Sequence, residues 1–284
     1  MTASNAKNYN HEYTIRILSD KDKAPVMRRK TMTMNKKEIK TFEDLSLNAW
    51  PSHQMQLYDG WILRFSHYYT HRTNCVEQIG NAQIPWDDKI QYCEKIYRRW
   101  NTPCIFKITP LTDPAFDEKL EGLGYHIEHV TDVMCCSLGD PARYPVHETV
   151  QIEQRISDEW IDALFSIKEN ATVTHLKIVP SMYAAIPKDV LCAGIRQNGR
   201  IIATGLGILD RDQIGIYAIN VDKRFRRQGL ARKICESLLG KGLKNPGIGK
   251  AYLQVIADNT PAISLYESLG FKKAYQYWFR VKEL

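Results

Sequence analysis

The segment from Ile214 to Arg232 constrains the fold more than any other part of this 284-residue chain. It reads IGIYAINVDKRFRRQGLAR, an almost continuously apolar run followed by a short basic loop, a glycine and an amphipathic pattern that continues to Leu243. Such an apolar run is typical of a strand that is buried on both faces. The segment therefore predicts an α/β fold in which a central strand leads through a basic turn into a helix at Gly229.

The start of this predicted helix has the chemistry of an anion site. The first turn of a helix exposes backbone N–H groups without partners, and the helix dipole adds partial positive charge there. Gly229 has no side chain to block a pyrophosphate, and Ala231 is small for the same reason. Arg226 and Arg227 add positive charge at the rim. We therefore predict that this loop binds a phosphorylated ligand.

Both halves of the chain contain predicted strands and predicted helices. Asn198-Gly199 lies between two apolar runs and predicts a hairpin, and Gly124 and Gly270 each end a predicted helix. The predicted helices cover residues 41–48, 88–100, 117–123, 158–171, 229–243 and 261–269. The predicted strands cover residues 61–66, 73–79, 104–108, 125–138, 190–196, 200–209, 214–221, 251–256 and 271–281, the last as a strand pair or one bent strand.

Two motifs in the C-terminal half resemble the signatures of the GNAT superfamily of acyl-CoA N-acyltransferases. The first signature is Gln/Arg-x-x-Gly-x-Gly/Ala after the fourth strand, and Arg226, Gly229 and Ala231 match it. The second is an asparagine after the fifth strand, followed by a helix that bears tyrosine and ends in Leu-Gly-Phe. The matching residues are Asn259, Pro261, Ala262, Tyr266, Leu269, Gly270 and Phe271. The resemblance covers residues 150–284.

The resemblance implies a role for each matching residue, with acetyl-CoA as co-substrate. The backbone of Ile219 and Val221 would pair with the pantetheine arm, and Asn259 would hydrogen-bond the same region. A strand N–H near Ile219 would stabilise the oxyanion, and Tyr266 would protonate the departing thiolate as general acid. The residues implied in coenzyme binding are Ile219, Val221, Arg226, Arg227, Gln228, Gly229, Leu230, Ala231 and Asn259.

The general base is left open by the sequence. Many relatives carry glutamate on the fourth strand, four residues before the valine, and this chain has Tyr217 there. Glu169, His175, Tyr275 and Tyr277 are alternatives by polarity and position.

A metal site is not predicted. His67 and His71 are four residues apart, but no pattern of carboxylates or cysteines accompanies them.

The N-terminal half resembles a degenerate copy of the C-terminal half, as in tandem GNAT proteins. Residues 104–125 read CIFKITPLTDPAFDEKLEGLGY and residues 251–271 read AYLQVIADNTPAISLYESLGF. Both runs predict a strand, a helix that begins at Pro-Ala, and a Glu-x-Leu-Gly-aromatic ending. The N-terminal half has no counterpart of the basic loop, and Leu120 stands where the other copy has Tyr266. We therefore expect only the C-terminal copy to bind coenzyme.

The predicted organisation is a flexible tail over residues 1–40, a degenerate GNAT-like domain over 41–145 and an acetyl-CoA-binding catalytic domain over 150–284. The two GNAT-like domains are expected to lie side by side, each with a mixed, mostly antiparallel sheet flanked by helices. The predicted function is transfer of an acetyl group to an amine by direct attack in a ternary complex. The alternatives are a coenzyme-binding sensor or pseudoenzyme that acts as an interaction module, and transfer of a longer acyl group.

Composition bears on the partners and the compartment. The seven cysteines are odd in number and contain no Cys-x-x-Cys pair, which favours a reducing cytoplasm. The net charge of +7 favours an anionic ligand, while no basic run with interleaved aromatics predicts a nucleic-acid surface. No apolar run predicts a membrane span. The expected partner is a small-molecule or peptide amine, and a homodimer remains open.

Overall fold

A computed structural model describes residues 32–168 and 172–284 of the chain. Within this part, the helices are α1 (Lys36–Ala49), α2 (Trp86–Arg99), α3 (Pro114–Gly122), α4 (Asp158–Lys168), α5 (Val173–Ala184), α6 (Leu230–Gly242) and α7 (Thr260–Ser268). The strands are β1 (Gln54–Tyr58), β2 (Trp61–Phe65), β3 (Val76–Gln78), β4 (Cys104–Ile108), β5 (His126–Ser137), β6 (Val150–Glu153), β7 (Asp189–Gln197), β8 (Arg200–Asp210), β9 (Gln213–Val221), β10 (Lys250–Ile256) and β11 (Lys272–Lys282).

All of these strands belong to one mixed sheet, in the order β1-β2-β3-β4-β11-β5-β10-β9-β8-β7-β6. The pairs β3–β4 and β9–β10 are parallel, and every other neighbouring pair is antiparallel. From β1 to β4 and from β7 to β10 the pairing follows the same pattern from either side of the β11–β5 pair. The sheet is therefore nearly symmetric about its centre, with β6 as an extra edge strand.

The central strands are exchanged between the two halves. Strand β5 of the N-terminal half lies between β10 and β11, and β11 of the C-terminal half lies between β4 and β5. The units β4–α3–β5 and β10–α7–β11 share the order strand, helix, strand, and their last strands cross over to the opposite half. The predicted GNAT-like α/β architecture, a mostly antiparallel sheet with helices, is confirmed.

The division of the chain differs from the prediction in two places. The two predicted domains do not have separate sheets, because the exchanged strands join all described residues into one compact unit. The predicted tail extends too far, because α1 begins at Lys36, where Asn35 and Glu38 form a capping box. Residues 1–31 of the predicted tail lie outside the described residues.

Helices cover both faces of the sheet. On one face α6 and α7 pack on a core that includes Leu253 and Val255 of β10, and α2 and α3 pack on the N-terminal strands. On the other face lie α1, α4 and α5. Helix α6 approaches β8 closely at Gly205, where a Cβ would lie 2.3 Å from Ile234 and 2.8 Å from Ile219. The absence of a side chain at Gly205 therefore lets α6 pack directly on β8, beside β9, the strand that leads into the basic loop.

Candidate active site

Helix α6 begins at an open N-terminus. Gly229 occupies the N-cap with φ 75° and ψ 6°, a left-handed conformation that glycine adopts without strain. Among the described residues no side chain caps this helix, and a Cβ at Gly229 would meet nothing within 4 Å. The N–H groups of the first turn therefore face open space.

A cleft of about 540 Å³ opens between this helix start, the end of β9 and the start of α7. The predicted site residues that line it are Ile219, Val221, Arg226, Arg227, Gly229, Leu230, Ala231, Asn259 and Tyr266. Gln228 is exposed and lies outside this lining. The described lining residues include Arg226, Arg227 and Arg232 but no carboxylate. The cleft is therefore positively charged where the helix start is open.

The two arginines that flank the loop behave differently. Arg224 binds the carboxylate of Asp222, with Nη2 2.7 Å from Oδ2, and this contact lowers the pKa of Asp222 to about 2. Arg226 lies in the cleft lining, where its Nε donates to the carbonyl of Val221 at 3.4 Å. Arg226 therefore keeps its charge without a carboxylate partner among the described residues.

Strands β9 and β10 diverge beside the cleft. Their parallel pairing runs from the pair Gln213–Lys250 to the pair Ile216–Leu253 and then stops. Beyond this point β10 pairs with β5 and β9 pairs with β8, so the other edge of β9 has no neighbouring strand. Strand β9 therefore splays away from β10, which agrees with the open strand that the sequence resemblance implied for the pantetheine arm.

The open edge exposes the backbone groups that the sequence singled out. The N–H of Asp222 donates to the carbonyl of Ile202 on β8 at 2.9 Å. Because backbone groups alternate between the two edges of a strand, those of Val221 and Ile219 turn toward the gap.

A β-bulge on β9 sets the direction of the side chains at this point. Ala218 has φ 50°, and the pairing with β8 shifts register so that Ala218 and Ile219 together face Gly205. The extra residue resets the alternation. Tyr217 therefore points to the α1 and α4 face, whereas Ile219 and Val221 point to the α6 face.

Tyr266 extends from α7 to the cleft and is 9% exposed. Its ring packs edge-on against Phe271, with the centroids 6.1 Å apart. Burial, with a smaller effect from Cys235, raises the pKa of the phenol above its ordinary value. The hydroxyl has no hydrogen-bond partner among the described residues and stays protonated at neutral pH, as a proton donor must.

Asn259 is the N-cap of α7. Its side-chain oxygen accepts the N–H of Ala262 at 3.3 Å, and the side chain also lines the cleft. The amide nitrogen is left as a donor, so helix capping and ligand binding are compatible at this residue.

The residues considered as general base are scattered. The Tyr217 hydroxyl lies 2.6 Å from that of Tyr252, and burial raises the pKa of Tyr217 to about 12. The Tyr275 hydroxyl donates to Glu43 in the core. Residue 175, a histidine, lies in the first turn of α5 rather than in a loop, and residue 169 lies outside the described residues. None of the described candidates joins the cleft lining.

Sequence reasoning missed a second cavity of about 470 Å³, which we call the histidine pocket. Its lining includes Tyr68, His71, Arg72, His129, Gln254 and Tyr277. Most of these side chains come from the N-terminal half, which the sequence excluded only from coenzyme binding. Two separate signals were present in the sequence: Tyr277, which was a candidate general base, and the His-rich run at residues 67–71, which was considered only as a metal motif.

The whole catalytic region matches one family model. Residues 36–280 match the family described as "Probable histone acetyltransferase Rv0428c C-terminal". Within the described part of the chain, no helix combines the length and apolar character needed to cross a membrane.

Curated relatives agree with this match. The chain is 24% identical over 250 residues to the uncharacterised N-acetyltransferase YobR of Bacillus subtilis, covering 86% of this chain and 99% of that one. It is 39% identical over 80 residues to the [Ribosomal protein bS18]-alanine N-acetyltransferase of Escherichia coli K12, covering 28% of this chain and 53% of that enzyme. These similarities support acetyltransferase activity.

Solved structures show the same fold. A GCN5-related N-acetyltransferase from Kribbella flavida superposes with a TM-score of 0.60 at 17% identity, covering 86% of this chain and 94% of that one. A tandem GNAT protein from the clavulanic acid biosynthesis pathway superposes with a TM-score of 0.56 at 14% identity, covering 74% and 75%. The open helix start, the splayed strand and these matches together show that the chain belongs to the Rv0428c C-terminal acetyltransferase family, within the GNAT superfamily.

Proposed function

We propose that the protein transfers the acetyl group of acetyl-CoA to a primary amine by direct attack in a ternary complex in the cytoplasm. The observation that carries this proposal is the continuity of the cleft. One cavity joins the open start of α6, the unpaired edge of β9 and the Tyr266 side chain.

Each part of the cleft suits one part of the coenzyme. The N–H groups from Arg227 to Ala231, together with Arg226, would hold the pyrophosphate at the helix start. The pantetheine arm would pair with the backbone of Ile219 and Val221, and Asn259 would donate to it. This arrangement brings the thioester to the bulge in β9, where a strand N–H would stabilise the oxyanion.

Direct attack is favoured over a covalent acyl-enzyme by the state of the cysteines. Cys192 and Cys235 are buried, and burial raises the pKa of each thiol to about 12. A buried thiol that stays protonated is a poor nucleophile. The amine therefore attacks the thioester itself, and Tyr266 supplies a proton to the departing thiolate.

The first test is titration calorimetry of acetyl-CoA with the wild type and with Gly229→Glu. The substitution places a carboxylate where the pyrophosphate should lie. We expect micromolar binding by the wild type, about 8 kcal/mol, and a loss of at least about 100-fold in the variant. Gly247→Glu is the matched control, because Gly247 also has a positive φ of 86° and open space around it but lies outside the cleft.

Four results are informative. Loss of binding in Gly229→Glu alone supports the coenzyme site, and equal loss in both variants means that strain rather than charge is responsible. No binding by the wild type would contradict the proposal. Binding without release of free CoA across a panel of amines would favour the sensor over the enzyme.

A further inference from the structure

The histidine pocket lies on the opposite face of the sheet from the coenzyme cleft. Side chains alternate along β10, so that Leu253 and Val255 face α6 and α7. Gln254 and Ile256 point the other way and line the histidine pocket. The sheet therefore lies between the two cavities.

The gap between β9 and β10 borders both the histidine pocket and the coenzyme cleft. The paired register from Gln213–Lys250 to Ile216–Leu253, continued past its end, sets residues 254–256 across the gap from residues 217–219. Residues 254 and 256 line the histidine pocket, and residue 219 lines the coenzyme cleft. A thioester held at Ile219 would therefore lie beside the same gap that residues 254 and 256 border on the side of the histidine pocket.

A carboxylate and an imidazole form a dyad in this pocket. Nε2 of His71 lies 2.8 Å from Oε2 of Glu128, and the two side chains are 14% and 34% exposed. The carboxylate accepts the Nε2 proton, so Nδ1 is the ring nitrogen that takes up a further proton. The ring is held edge-on by Phe279 and by His129, at centroid distances of 5.3 and 4.5 Å.

The backbone at this dyad is strained. His129 has φ 50°, and the pairing of β5 with β11 shifts register beside it. Left-handed backbone at a non-glycine residue costs free energy and persists where the surrounding structure holds it in place. Here it brings an imidazole from the centre of a strand into the lining of the pocket.

The groups around His71 favour the neutral imidazole. Burial lowers the pKa of His71, the hydrogen bond and charge of Glu128 oppose this, and His129 and His126 lower it further, with a net pKa below the ordinary 6.5. The remaining neighbours in contact with the ring are Tyr68, whose phenol pKa is raised to about 12, and Phe279. His71 is therefore a free base at neutral pH.

Arg72 gives the pocket a cationic wall. Its Nη1 donates to Oε1 of Gln254 at 2.8 Å, and it has no ion pair among the described residues. Its charge lowers the phenol pKa of Tyr69 and Tyr277 against the effect of burial. An anionic group on a ligand would find its counter-ion here, and the same charge favours the deprotonated form of a nearby amine.

We propose that the histidine pocket is the acceptor site, that it takes a primary amine bearing a carboxylate, and that His71, oriented by Glu128, is the general base. The proposal rests on the proposed function, because it assigns the second substrate of that reaction. Arg72 pairs with the carboxylate of the acceptor and His71 accepts the proton of its ammonium group.

The reaction balances as follows in atoms and protons. His71 takes one proton from the ammonium group and passes it to solvent. The free amine attacks the thioester carbon, forming the C–N bond and a tetrahedral oxyanion. Collapse breaks the C–S bond, and the thiolate takes the phenolic proton of Tyr266. The second nitrogen proton replaces the one that Tyr266 has lost, so the products are the amide, the CoA thiol and one proton.

The test compares His71→Gln with His126→Gln. His126 contacts the other oxygen of Glu128 at the same distance of 2.8 Å, but it is 58% exposed and outside the pocket lining. Release of CoA is measured with the probes L-phenylalanine and L-phenylalaninamide, which differ in the carboxylate, and acetyl-CoA affinity is measured by calorimetry. We expect His71→Gln to lower kcat at least about 100-fold with unchanged acetyl-CoA affinity, and His126→Gln to stay within about threefold.

The pH profile adds a readout that a structural role would not move. The wild type should lose activity as pH falls through the lowered pKa of His71, and this limb should be absent from the residual activity of His71→Gln. Glu128→Gln should move the limb to lower pH, because the carboxylate raises the pKa of the ring. The acid should be preferred over the amide by at least about tenfold, and Arg72→Gln should remove this preference.

The overturning results are distinct from a failure of the proposed function. Full activity in His71→Gln, or equal losses in His71→Gln and His126→Gln, would refute His71 as the general base. The proposed acetyltransferase function would still stand. Equal use of the acid and the amide removes the role of Arg72. Bound metal at one equivalent, with activity lost to a chelator, would make His71, Glu128 and His129 metal ligands instead, since one ligand atom from each lies within 4.8 Å of the others. A wild type that binds no acetyl-CoA refutes the function and the base together.

Discussion

The two halves of the molecule differ at the start of an equivalent helix, which is α2 in the N-terminal half and α6 in the C-terminal half. In the C-terminal half the start of α6 is open at Gly229. In the N-terminal half the N–H groups of Gln83 and Ile84, just before α2, both donate to the carboxylate of Asp59 at 2.9 Å. Lys89 on α2 is fully buried and binds the same carboxylate at 3.2 Å. The N-terminal half therefore supplies its own anion where the C-terminal half leaves room for a phosphate.

The same contrast occurs on the strands. Lys107 of β4 falls where β10 has Gln254 in the repeated sequence. The buried Nζ of Lys107 lies 2.6 Å from Glu43 and 3.3 Å from Glu77. Gln254 instead lines the histidine pocket. In the N-terminal half, buried ion pairs occupy positions whose C-terminal counterparts line the two cavities. A shared fold therefore does not by itself provide a binding site.

The largest expected effect tests the buried ion pairs of Lys107 in the N-terminal half. Lys107→Met leaves the buried carboxylate of Glu43 without a cation and leaves Glu77 only its 3.4 Å contact with Arg64. We expect the free energy of unfolding to fall by about 3–5 kcal/mol. Burial alone would lower the pKa of Lys107, but Glu43 and Glu77 raise it well above its usual range. The loss should therefore be full at neutral pH, where this lysine is charged in both the folded and the unfolded protein. It should diminish as the pH rises past the ordinary lysine pKa of about 10.4. Chemical denaturation measures it.

The control for this prediction is Lys119→Met. Lys119 pairs with Asp87 at 2.7 Å in a partly exposed contact, which should contribute less than about 1 kcal/mol. Acetyl-CoA affinity should be unchanged in both folded variants. Similar losses of stability in Lys107→Met and Lys119→Met would mean that the buried ion pairs of the N-terminal half stabilise it no more than an exposed pair does.

The next effect tests the proposed proton donor, Tyr266, whose N-terminal counterpart is Leu120. Tyr266→Phe should lower kcat about 100-fold, or about 2.7 kcal/mol in activation free energy, with acetyl-CoA affinity unchanged. Tyr266→Leu, which installs the residue of the N-terminal counterpart, should lose at least as much. Tyr144→Phe is the control, because the Tyr144 hydroxyl donates to the Leu269 carbonyl outside the cleft lining. A normal kcat in Tyr266→Phe would assign the proton to another donor.

The smallest effect separates the two arginines of the loop. Arg226→Gln should weaken acetyl-CoA binding about three- to tenfold, and the loss should shrink at high salt because the contact is exposed. Arg224→Gln should change the affinity less than about twofold, because Arg224 already binds Asp222. Calorimetry at two salt concentrations measures both. Equal losses would mean that the general charge of the loop, rather than the position of Arg226, attracts the coenzyme.

Local sequence signals predicted most of the C-terminal elements. The long apolar run of β9, the hairpin at Asn198-Gly199 and the helix that begins at Gly229 depend on neighbouring residues, and all were predicted close to their observed bounds. Helix α5 was missed because it contains Pro180, which usually breaks a helix. Strand β1 was missed because it is a short edge strand, and its alternating apolar side chains, Met55 and Leu57, are exposed rather than buried in a core.

The remaining features depend on contacts between distant residues. The bulge at Ala218 arises from the register between β8 and β9. Position 218 is an alanine rather than a glycine, so the sequence does not signal a bulge there. His71 and Glu128 are 57 positions apart and meet only because β5 crosses to the C-terminal half. The coenzyme residues are consecutive or follow a motif, whereas the histidine pocket requires the whole sheet.

The exchange of β5 and β11 has a consequence for how the chain is made. Strand β11 follows every other described strand in sequence, yet it lies near the middle of the sheet between β4 and β5. During synthesis, the edges of β4 and β5 that pair with β11 stay unpaired until β11 has left the ribosome. Exposed strand edges invite pairing with other chains. Synthesis and release of this protein are therefore the steps at which chaperones would matter most, and a cut between the halves would yield two fragments that complete their sheets only together.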